Sequence, residues 1–165
     1  MLTLIPADEA VFAWLLGDAP APADAPPICE GGLAPPEVVA VVARMAARVR
    51  PSYDTPSAWM MVADGEAVGL ISYKAAPDAA GCVDIGYGTA PAREGRGHAS
   101  AAVAALVDLS RANGIAGLTA ETSIDNRASQ RVLERNGFVR TGERDDPEDG
   151  AMICWSLTVA QGETK

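Results

Sequence analysis

Three predicted strands stand directly before a glycine-rich loop and a long helix, and this order limits the folds open to the chain. Apolar and β-branched segments predict strands at 59–63, 67–74 and 82–87, and Asp64-Gly65 between the first two predicts a tight hairpin turn. The period then changes to that of a helix, roughly 97–112. Antiparallel strands followed by helix, strand and helix predict an α/β fold with a mixed, mostly antiparallel sheet flanked by helices.

The rest of the chain fits a single domain over 1–165. A strand at 2–5 and a helix at 7–16 precede a stretch, 18–36, that holds six of the 12 prolines and is predicted to be a long loop. Pro36 then opens a helix predicted over 36–50, whose core-facing stripe we expect to be Val38, Val41, Val42, Met45 and Val49. The later predicted elements are a strand at 118–122, a helix at 126–136, and strands at 138–142 and 152–159, joined by the acidic segment 145–150.

Acidic residues outnumber basic ones by 22 to 13, for a net charge of −9, but the two signs are unevenly distributed. Residues 93–144 carry eight arginines against six acids, a net +2, whereas the remainder carries five bases and 16 acids, a net −11. The overall balance argues against nucleic-acid binding, which needs clustered Lys and Arg. A locally basic segment in an acidic chain suits a small anionic ligand.

Composition excludes several other classes of protein. His98 is the only histidine, so zinc motifs of the HExxH type are impossible, and we predict no metal site. Cys29, Cys82 and Cys154 lack CxxC spacing and are predicted to be reduced and buried, as in a cytoplasmic protein. We expect neither a signal peptide nor a membrane span, because no basic stretch precedes an apolar run and no apolar stretch reaches roughly 18 residues.

The loop before the long helix has the features of an anion site. Gly95 and Gly97 allow close approach of the backbone, and the first N–H groups of a helix have no partner within it. Arg93 and Arg96 flank the loop and can pair with phosphate oxygens. It is not a P-loop, because no Gly-Lys-Ser/Thr follows. A dinucleotide turn is an open alternative, since the loop reads G-x-G-x-x-S and Glu121 lies 24 residues after Gly97, although the preceding strands fit that fold poorly.

Two linked motifs resemble those of the GCN5-related N-acetyltransferases (the GNAT family), which use acyl-CoA. The family's loop pattern, Gln/Arg-x-x-Gly-x-Gly/Ala, corresponds to Glu94-x-x-Gly97-x-Ala99, with Glu in place of the usual Gln or Arg. A second signature, Asn-x-x-Ser followed by Asn-Gly-Phe, corresponds to 126–129 and 136–138, and Asp84-Ile85-Gly86-Tyr87 is similar to the strand before the loop. The resemblance spans roughly 57–158 and is greatest to the ribosomal-protein N-terminal acetyltransferases. It implies the acyl-CoA N-acyltransferase fold, with an acyl-CoA-binding core at 83–138.

The resemblance also implies where acetyl-CoA binds. Its pyrophosphate would lie on backbone N–H groups of the loop, its pantetheine arm would follow the preceding strand, and Asn126 would contact the pantetheine or thioester end. The predicted cofactor-binding residues are therefore Tyr87, Gly88, Thr89, Arg93, Glu94, Gly95, Arg96, Gly97, His98, Ala99, Ser100, Asn126 and Ser129.

The implied reaction is direct attack of a neutral amine on the thioester, which needs a base and a proton donor for the thiolate. Asp84 and Glu121 are the two candidate bases. Many family members carry a tyrosine acid where this chain has Leu133, so Ser129 is the predicted substitute. The acceptor would be a peptide N-terminus or a small amine, and the resemblance alone makes a homodimer plausible. The alternatives are a non-catalytic acyl-CoA sensor on the same fold, which the missing tyrosine favours, and the dinucleotide-dependent enzyme.

Overall fold

A seven-stranded sheet forms the centre of the computed structural model, which describes residues 1–159. The strands are β1 (Leu2–Pro6), β2 (Ala58–Ala63), β3 (Glu66–Tyr73), β4 (Cys82–Thr89), β5 (Gly117–Ser123), β6 (Val139–Asp146) and β7 (Gly150–Thr158). They lie in the order β1-β2-β3-β4-β5-β7-β6, and each neighbouring pair is antiparallel except β4 with β5. The predicted α/β fold with a mixed, mostly antiparallel sheet is confirmed.

Four α-helices cover this sheet within the described residues. They are α1 (Glu9–Leu15), α2 (Pro36–Val49), α3 (His98–Ala112) and α4 (Arg127–Arg135). The Asp8 carboxylate caps α1 by accepting a hydrogen bond from Val11 N–H at 3.0 Å. Pro36 suits the first position of α2, where a backbone N–H has no partner in the helix. α1 packs on α2, and α3 packs on α4.

Alternate residues of β3 show which helices cover which face of the sheet. Tyr73 and Ser110 of α3 share a buried hydrogen bond of 2.8 Å between their hydroxyl oxygens. Leu70 and Ser72 point to the opposite face, because side chains alternate along a strand, and there they line a groove beside α2. The sheet therefore separates a layer of α1 and α2 from a layer of α3 and α4.

The core-facing stripe predicted for α2 is wrong in part. Val49 is buried as expected, but the other buried residues of this helix are Val39 and Ala46. Val38 and Val41 are 45% and 47% exposed. The apolar face of α2 is wider than its contact with the core, so periodicity alone could not show which part of that face is covered.

The proline-rich loop at 18–36 is tied to the sheet. Cys29 N–H donates to the Ala67 carbonyl at 3.0 Å, and Ala67 N–H donates to the Pro27 carbonyl at 2.8 Å, at the end of β3 beyond its pairing with β4. Cys29 and Leu33 are both buried. The loop therefore contributes side chains to the core while it closes a free strand edge.

Two smaller expectations need correction. All three cysteines are free thiols, but Cys29 alone of them is buried, since Cys82 and Cys154 are partly exposed on the sheet. The strand predicted at 138–142 extends to Asp146, so the acidic segment begins inside β6. Almost every residue of β6 is exposed, so the alternation of buried and exposed positions that marks a strand is absent there.

Candidate active site

The sheet opens between its two parallel strands. Residues 82–84 of β4 pair with residues 117–119 of β5, and beyond these three pairs the strands separate. β4 continues to Thr89 with β3 on its other side. Over 85–89 its edge toward β5 therefore presents backbone N–H and C=O groups that no described strand pairs with. Such an edge can bind an extended, amide-bearing ligand much as it would bind another strand.

After β4, a loop leads into the N-terminus of α3, which no side chain caps. Gly95 and Gly97 have φ of +76° and +80°, in the left-handed region that favours glycine. The N–H groups of His98, Ala99 and Ser100 point out of the helix, because the first N–H groups of a helix have no carbonyl one turn earlier. With the dipole of a 15-residue helix behind them, they form a site for an anion such as phosphate.

Arg93, one of the two arginines predicted to contact phosphate, is bound to β3. Its Nε donates to Glu66 Oε1 at 2.6 Å, and this bond holds the pKa of the Glu66 carboxyl below its usual value. The pair fixes the start of the loop, and Arg96 is the exposed arginine there. Glu94 is also exposed, so the departure from the family pattern puts a carboxylate at the rim of the anion site.

Tyr87 and Ser129 connect the two walls of the opening. Tyr87 belongs to β4 beyond its last pair with β5, and Ser129 lies in the first turn of α4. Their hydroxyl oxygens are 2.8 Å apart, and the Tyr87 hydroxyl also donates to the Ser129 carbonyl at 3.3 Å. Burial raises the pKa of Tyr87, and the hydrogen bond to Ser129 opposes that rise. The phenol is therefore a neutral hydrogen-bond donor at pH 7.

The asparagines of the second motif have structural roles that sequence reasoning missed. Asn126 caps α4, since its Oδ1 accepts a hydrogen bond from Ser129 N–H at 3.1 Å. Asn136 Nδ2 donates to the carbonyls of Ser100 at 3.2 Å and Val132 at 2.9 Å, which joins the end of α4 to the first turn of α3. Asn136 therefore fixes the first turn of α3, and with it the anion site, to the end of α4. An Asn-Gly pair at the end of a helical pattern is the signal that could have indicated this role.

Asp84 is held at the point where the opening begins. Thr119 Oγ1 donates to Asp84 Oδ1 at 3.0 Å, and Lys74 Nζ lies 3.8 Å from Asp84 Oδ2. Burial raises the pKa of the Asp84 carboxyl, and Lys74 and the bond from Thr119 oppose that rise. A carboxylate with a raised pKa is a better proton acceptor near neutral pH than an ordinary one.

Glu121, the other candidate base, is bound by an arginine. Arg144 Nε donates to Glu121 Oε2, and Arg144 Nη2 donates to Glu121 Oε1 at 3.0 Å. This pairing holds the pKa of the Glu121 carboxyl below its usual value. Arg144 also bonds Asp146 at 3.1 Å, which fixes the guanidinium further. A lowered pKa makes Glu121 the weaker base, so the electrostatics favour Asp84.

A narrow groove of about 270 Å³ lies on the α2 side of β4. Its floor is formed by β3 and β4, and its wall by α2 and the end of the proline-rich loop. The lining includes Leu33, Pro35, Val38, Val42, Met45, Leu70, Lys74 and Gly88. A larger depression of about 850 Å³ lies between α1, the end of α2 and residues 50–57, and it holds none of the predicted site residues.

Two features are absent from residues 1–159. None of the helices there combines the length and apolar character needed to cross a membrane. No group of three or more His, Cys, Asp or Glu residues in that range could hold a metal ion.

A sheet that opens between two parallel strands, next to the uncapped N-terminus of a helix, defines the acyl-CoA N-acyltransferase class of fold. The chain belongs to the acetyltransferase (GNAT) domain family, whose profile matches residues 3–139. The family predicted from the loop and asparagine motifs is confirmed. The dinucleotide alternative is wrong, because that fold needs a doubly wound parallel sheet and β4 with β5 is the one parallel pair among the described strands. No curated protein matches the sequence significantly.

Solved acetyltransferase structures share this fold. The Salmonella typhimurium acetyl transferase that modifies the N-terminal serine of 50S ribosomal subunit protein L7/L12 has a TM-score of 0.70 at 19% identity, over 96% of this chain and 95% of that chain. RimL, the ribosomal L7/L12 alpha-N-protein acetyltransferase in complex with coenzyme A, has 0.68 at 19%, over 96% and 94%. The microcin C7 self-immunity acetyltransferase MccE, in complex with acetyl-CoA and AMP, has 0.67 at 13%, over 96% and 92%. At these identities the likeness establishes the fold.

Proposed function

We propose that this protein is an N-acetyltransferase that moves an acetyl group from acetyl-CoA to a primary amine by direct attack. The observation that carries the proposal is the free edge of β4, which runs directly to the uncapped N-terminus of α3. Acetyl-CoA has amides that suit a strand edge and a pyrophosphate that suits a helix N-terminus. RimL and MccE, which share the fold, were crystallised with coenzyme A and acetyl-CoA.

The residues present fit acetyl-CoA. The backbone N–H groups of 95–99 would hold its pyrophosphate, with Arg96 at the rim and Ser100 in the first turn of α3. A Cβ added at Gly88 or Gly97 meets no atom within 4 Å, so both positions border free space. Tyr87, Gly88 and Thr89 would line the pantetheine arm. When bound, acetyl-CoA supplies an acetyl group activated as a thioester.

Asp84 is the proposed base. An ammonium group has no free electron pair, so the acceptor nitrogen must lose a proton before or during attack. Asp84 belongs to the last residue pair before β4 and β5 separate, and it therefore stands at the deepest point of the opening. The bond from Thr119 and the ion pair with Lys74 orient its carboxylate.

Tyr87 and Ser129 are proposed to donate hydrogen bonds to the leaving sulfur. Because side chains alternate along β4, Tyr87 points to the face of the sheet opposite to Asp84. Base and donor would thus act from opposite sides of the reacting carbon. Leu133, where many family members carry a tyrosine, is completely buried. Tyr87 of β4 would therefore supply the phenol that α4 lacks, beside the Ser129 hydroxyl of that helix.

Replacing Tyr87 by Phe is expected to lower kcat about tenfold, with acetyl-CoA affinity unchanged, because the ring stays but the donor is lost. Tyr73→Phe is a matched control, since the Tyr73 hydroxyl is also 2.8 Å from a serine hydroxyl, that of Ser110 in the core. The control should lower the unfolding temperature and leave kcat unchanged. Steady-state CoA release measures the effect. An unchanged kcat in Tyr87→Phe would show that Tyr87 only lines the cofactor site and that its hydroxyl takes no part in the reaction.

The proposed function is tested in two stages. Calorimetric titration should show acetyl-CoA binding below millimolar concentration and no binding of NADH, and no binding at millimolar acetyl-CoA would overturn the proposal. CoA release is then measured across a panel of peptides and small amines. Binding without release from any acceptor would favour the second candidate, a non-catalytic acyl-CoA-binding protein, which the buried Leu133 supports.

The acceptor is proposed to be a peptide N-terminus or a small primary amine. The Salmonella typhimurium enzyme, which shares the fold, modifies the N-terminal serine of a ribosomal protein. A cytoplasmic location is proposed as well, and the three free cysteines support it. The homodimer and the absence of a nucleic-acid partner stay predictions from family resemblance and charge.

A further inference from the structure

The groove beside α2 lies on the same face of the sheet as the proposed base. In the register of β3 and β4, Leu70 lies opposite Gly88, and both line the groove. Alternation along the two strands places Lys74 and Asp84 on this face and Tyr87 on the other. Lys74 closes the groove at the end nearest Asp84, 3.8 Å from its carboxylate. A substrate amine at Asp84 therefore has its neighbouring atoms in or next to this groove.

The wall of the groove is apolar. α2 contributes Val38, Val42 and Met45, and the proline-rich loop contributes Leu33 and Pro35. Val38 is 45% exposed. Burial of such surface against a ligand is favourable, so this wall suits an apolar partner.

The charge and size of the groove limit which chemical groups can occupy it. Among the described residues that line the groove, Lys74 alone is charged and none is a carboxylate, so a cationic substituent beside the reacting amine would find no ion-pair partner there. A volume of about 270 Å³ corresponds to on the order of nine water molecules. It is smaller than the roughly 300–1,000 Å³ of sites for drug-sized ligands. The groove therefore suits one aliphatic group and offers no partner to the several ammonium groups of a polycationic oligosaccharide.

We propose that the acceptor is a primary amine carrying one aliphatic substituent, about as large as a leucine or methionine side chain, which packs against Val38, Val42 and Met45. This inference rests on the proposed acetyl transfer. The neutral amine nitrogen forms a bond to the thioester carbonyl carbon, and the C–S bond breaks with its electron pair going to sulfur. The one proton that this nitrogen then loses goes to Asp84, and the CoA thiolate leaves with hydrogen bonds from Tyr87 and Ser129. A peptide N-terminus and a free alkylamine both present this chemistry.

The acceptor preference is tested with tetrapeptides that differ only in their first residue, Leu, Ser or Lys, together with isopentylamine and an aminoglycoside. The readout is kcat/KM from CoA release at saturating acetyl-CoA. The leucine peptide should exceed the serine and lysine peptides by about tenfold or more. The ratio between the leucine peptide and isopentylamine shows whether the source is a peptide or a free amine.

A matched pair of variants tests the wall itself. Val38→Asp should lower kcat/KM for the leucine peptide about tenfold, and Val41→Asp should leave it unchanged. The two valines lie on the same helix and are similarly exposed, at 45% and 47%, but only Val38 lines the groove. An acid in the first turn of α2 suits the helix dipole, so Val38→Asp is expected to fold. Val38→Thr, which is nearly equal in shape, replaces it in the same measurement if the aspartate variant does not fold.

The outcomes separate this inference from the proposed function. Equal use of the leucine and serine peptides, or a preference for the aminoglycoside, would overturn the inference and leave the acetyltransferase in place. A preference for hexanoyl-CoA over acetyl-CoA without any acceptor preference would assign the groove to the acyl chain and also overturn it. Absence of acetyl-CoA binding would overturn the proposed function and this inference with it.

Discussion

Replacing Gly97 by Asp is expected to lower the affinity for acetyl-CoA about 100-fold or more while the protein remains folded. The new carboxylate would lie beside the first-turn N–H groups of α3 that are proposed to hold the pyrophosphate. It would also repel the phosphates, by about 4 kcal/mol for two unit charges 4 Å apart near a protein surface. The added Cβ meets no atom within 4 Å, so steric clash contributes little. Calorimetric titration with acetyl-CoA measures the loss.

Gly114 offers the matched control at the other end of the same helix. It has φ of +74°, and an added Cβ there also meets no atom within 4 Å. Gly114→Asp should therefore carry a similar backbone strain and lower the unfolding temperature, with acetyl-CoA affinity unchanged. Gly97→Asn, which keeps the shape and removes the charge, should lose less affinity than Gly97→Asp. Unchanged affinity in Gly97→Asp would place the pyrophosphate elsewhere.

Replacing Asp84 by Asn is expected to reduce kcat about 100-fold or more at pH 7 while the protein is no less stable. Asn keeps the size and the acceptor for Thr119 but cannot take a proton. Burial raises the pKa of Asp84, so its ionisation is less favourable in the folded than in the unfolded chain. The stability linked to this group is present at low pH and is lost as pH rises through the raised pKa. Removing the charge at pH 7 removes the cost of burying an ionised carboxylate. Measurement of kcat tests the loss of activity, and the thermal midpoint of unfolding tests the stability.

The pH profile distinguishes Asp84 from Glu121. In the unmodified protein kcat/KM should fall as pH decreases through a pKa above the ordinary aspartate value of 3.8, and this limb should disappear in Asp84→Asn. Glu121→Gln should instead lower stability and change kcat little. The stability from ionised Glu121 is present above its ordinary pKa of 4.5 and is lost as pH falls through its lowered folded value. If the low-pH limb of the profile survives in Asp84→Asn and disappears in Glu121→Gln, Glu121 and not Asp84 is the base.

Local patterns were sufficient for most of the fold. The hairpin around Asp64-Gly65, the strand before the loop and the helix that follows it lie close to their predicted positions. Each depends on residues near one another in the chain, such as a turn pair or a glycine at a helix start. The face of α2 was predicted incorrectly in part, because both covered and uncovered parts of that helix are apolar and its packing on α1 and β3 decides between them.

The chemistry of the site depended on contacts between distant parts of the chain. Tyr87 and Ser129 are 42 residues apart, and their contact exists because the sheet opens between β4, which carries Tyr87, and β5, which leads to α4. Asp84 and Glu121 are similar carboxylates in the sequence. Arg144, 23 residues beyond Glu121, distinguishes them by pairing with Glu121 and not with Asp84. The strand order β5-β7-β6 places Arg144 of β6 close enough to reach Glu121 of β5. No local period predicts that order of strands.

The short pairing between β4 and β5 has a consequence for the cohesion of the molecule. β5 and β7 are joined along seven residue pairs, whereas the two halves of the sheet meet along three. This seam is the least hydrogen-bonded line through the sheet, with the Asn136 bond to Ser100 as a tie behind it. A ligand with amides along the edge of β4 would act as the missing length of strand. Its binding energy would then add to the stability of the folded state, so the acyl donor would be part of what holds the two halves together.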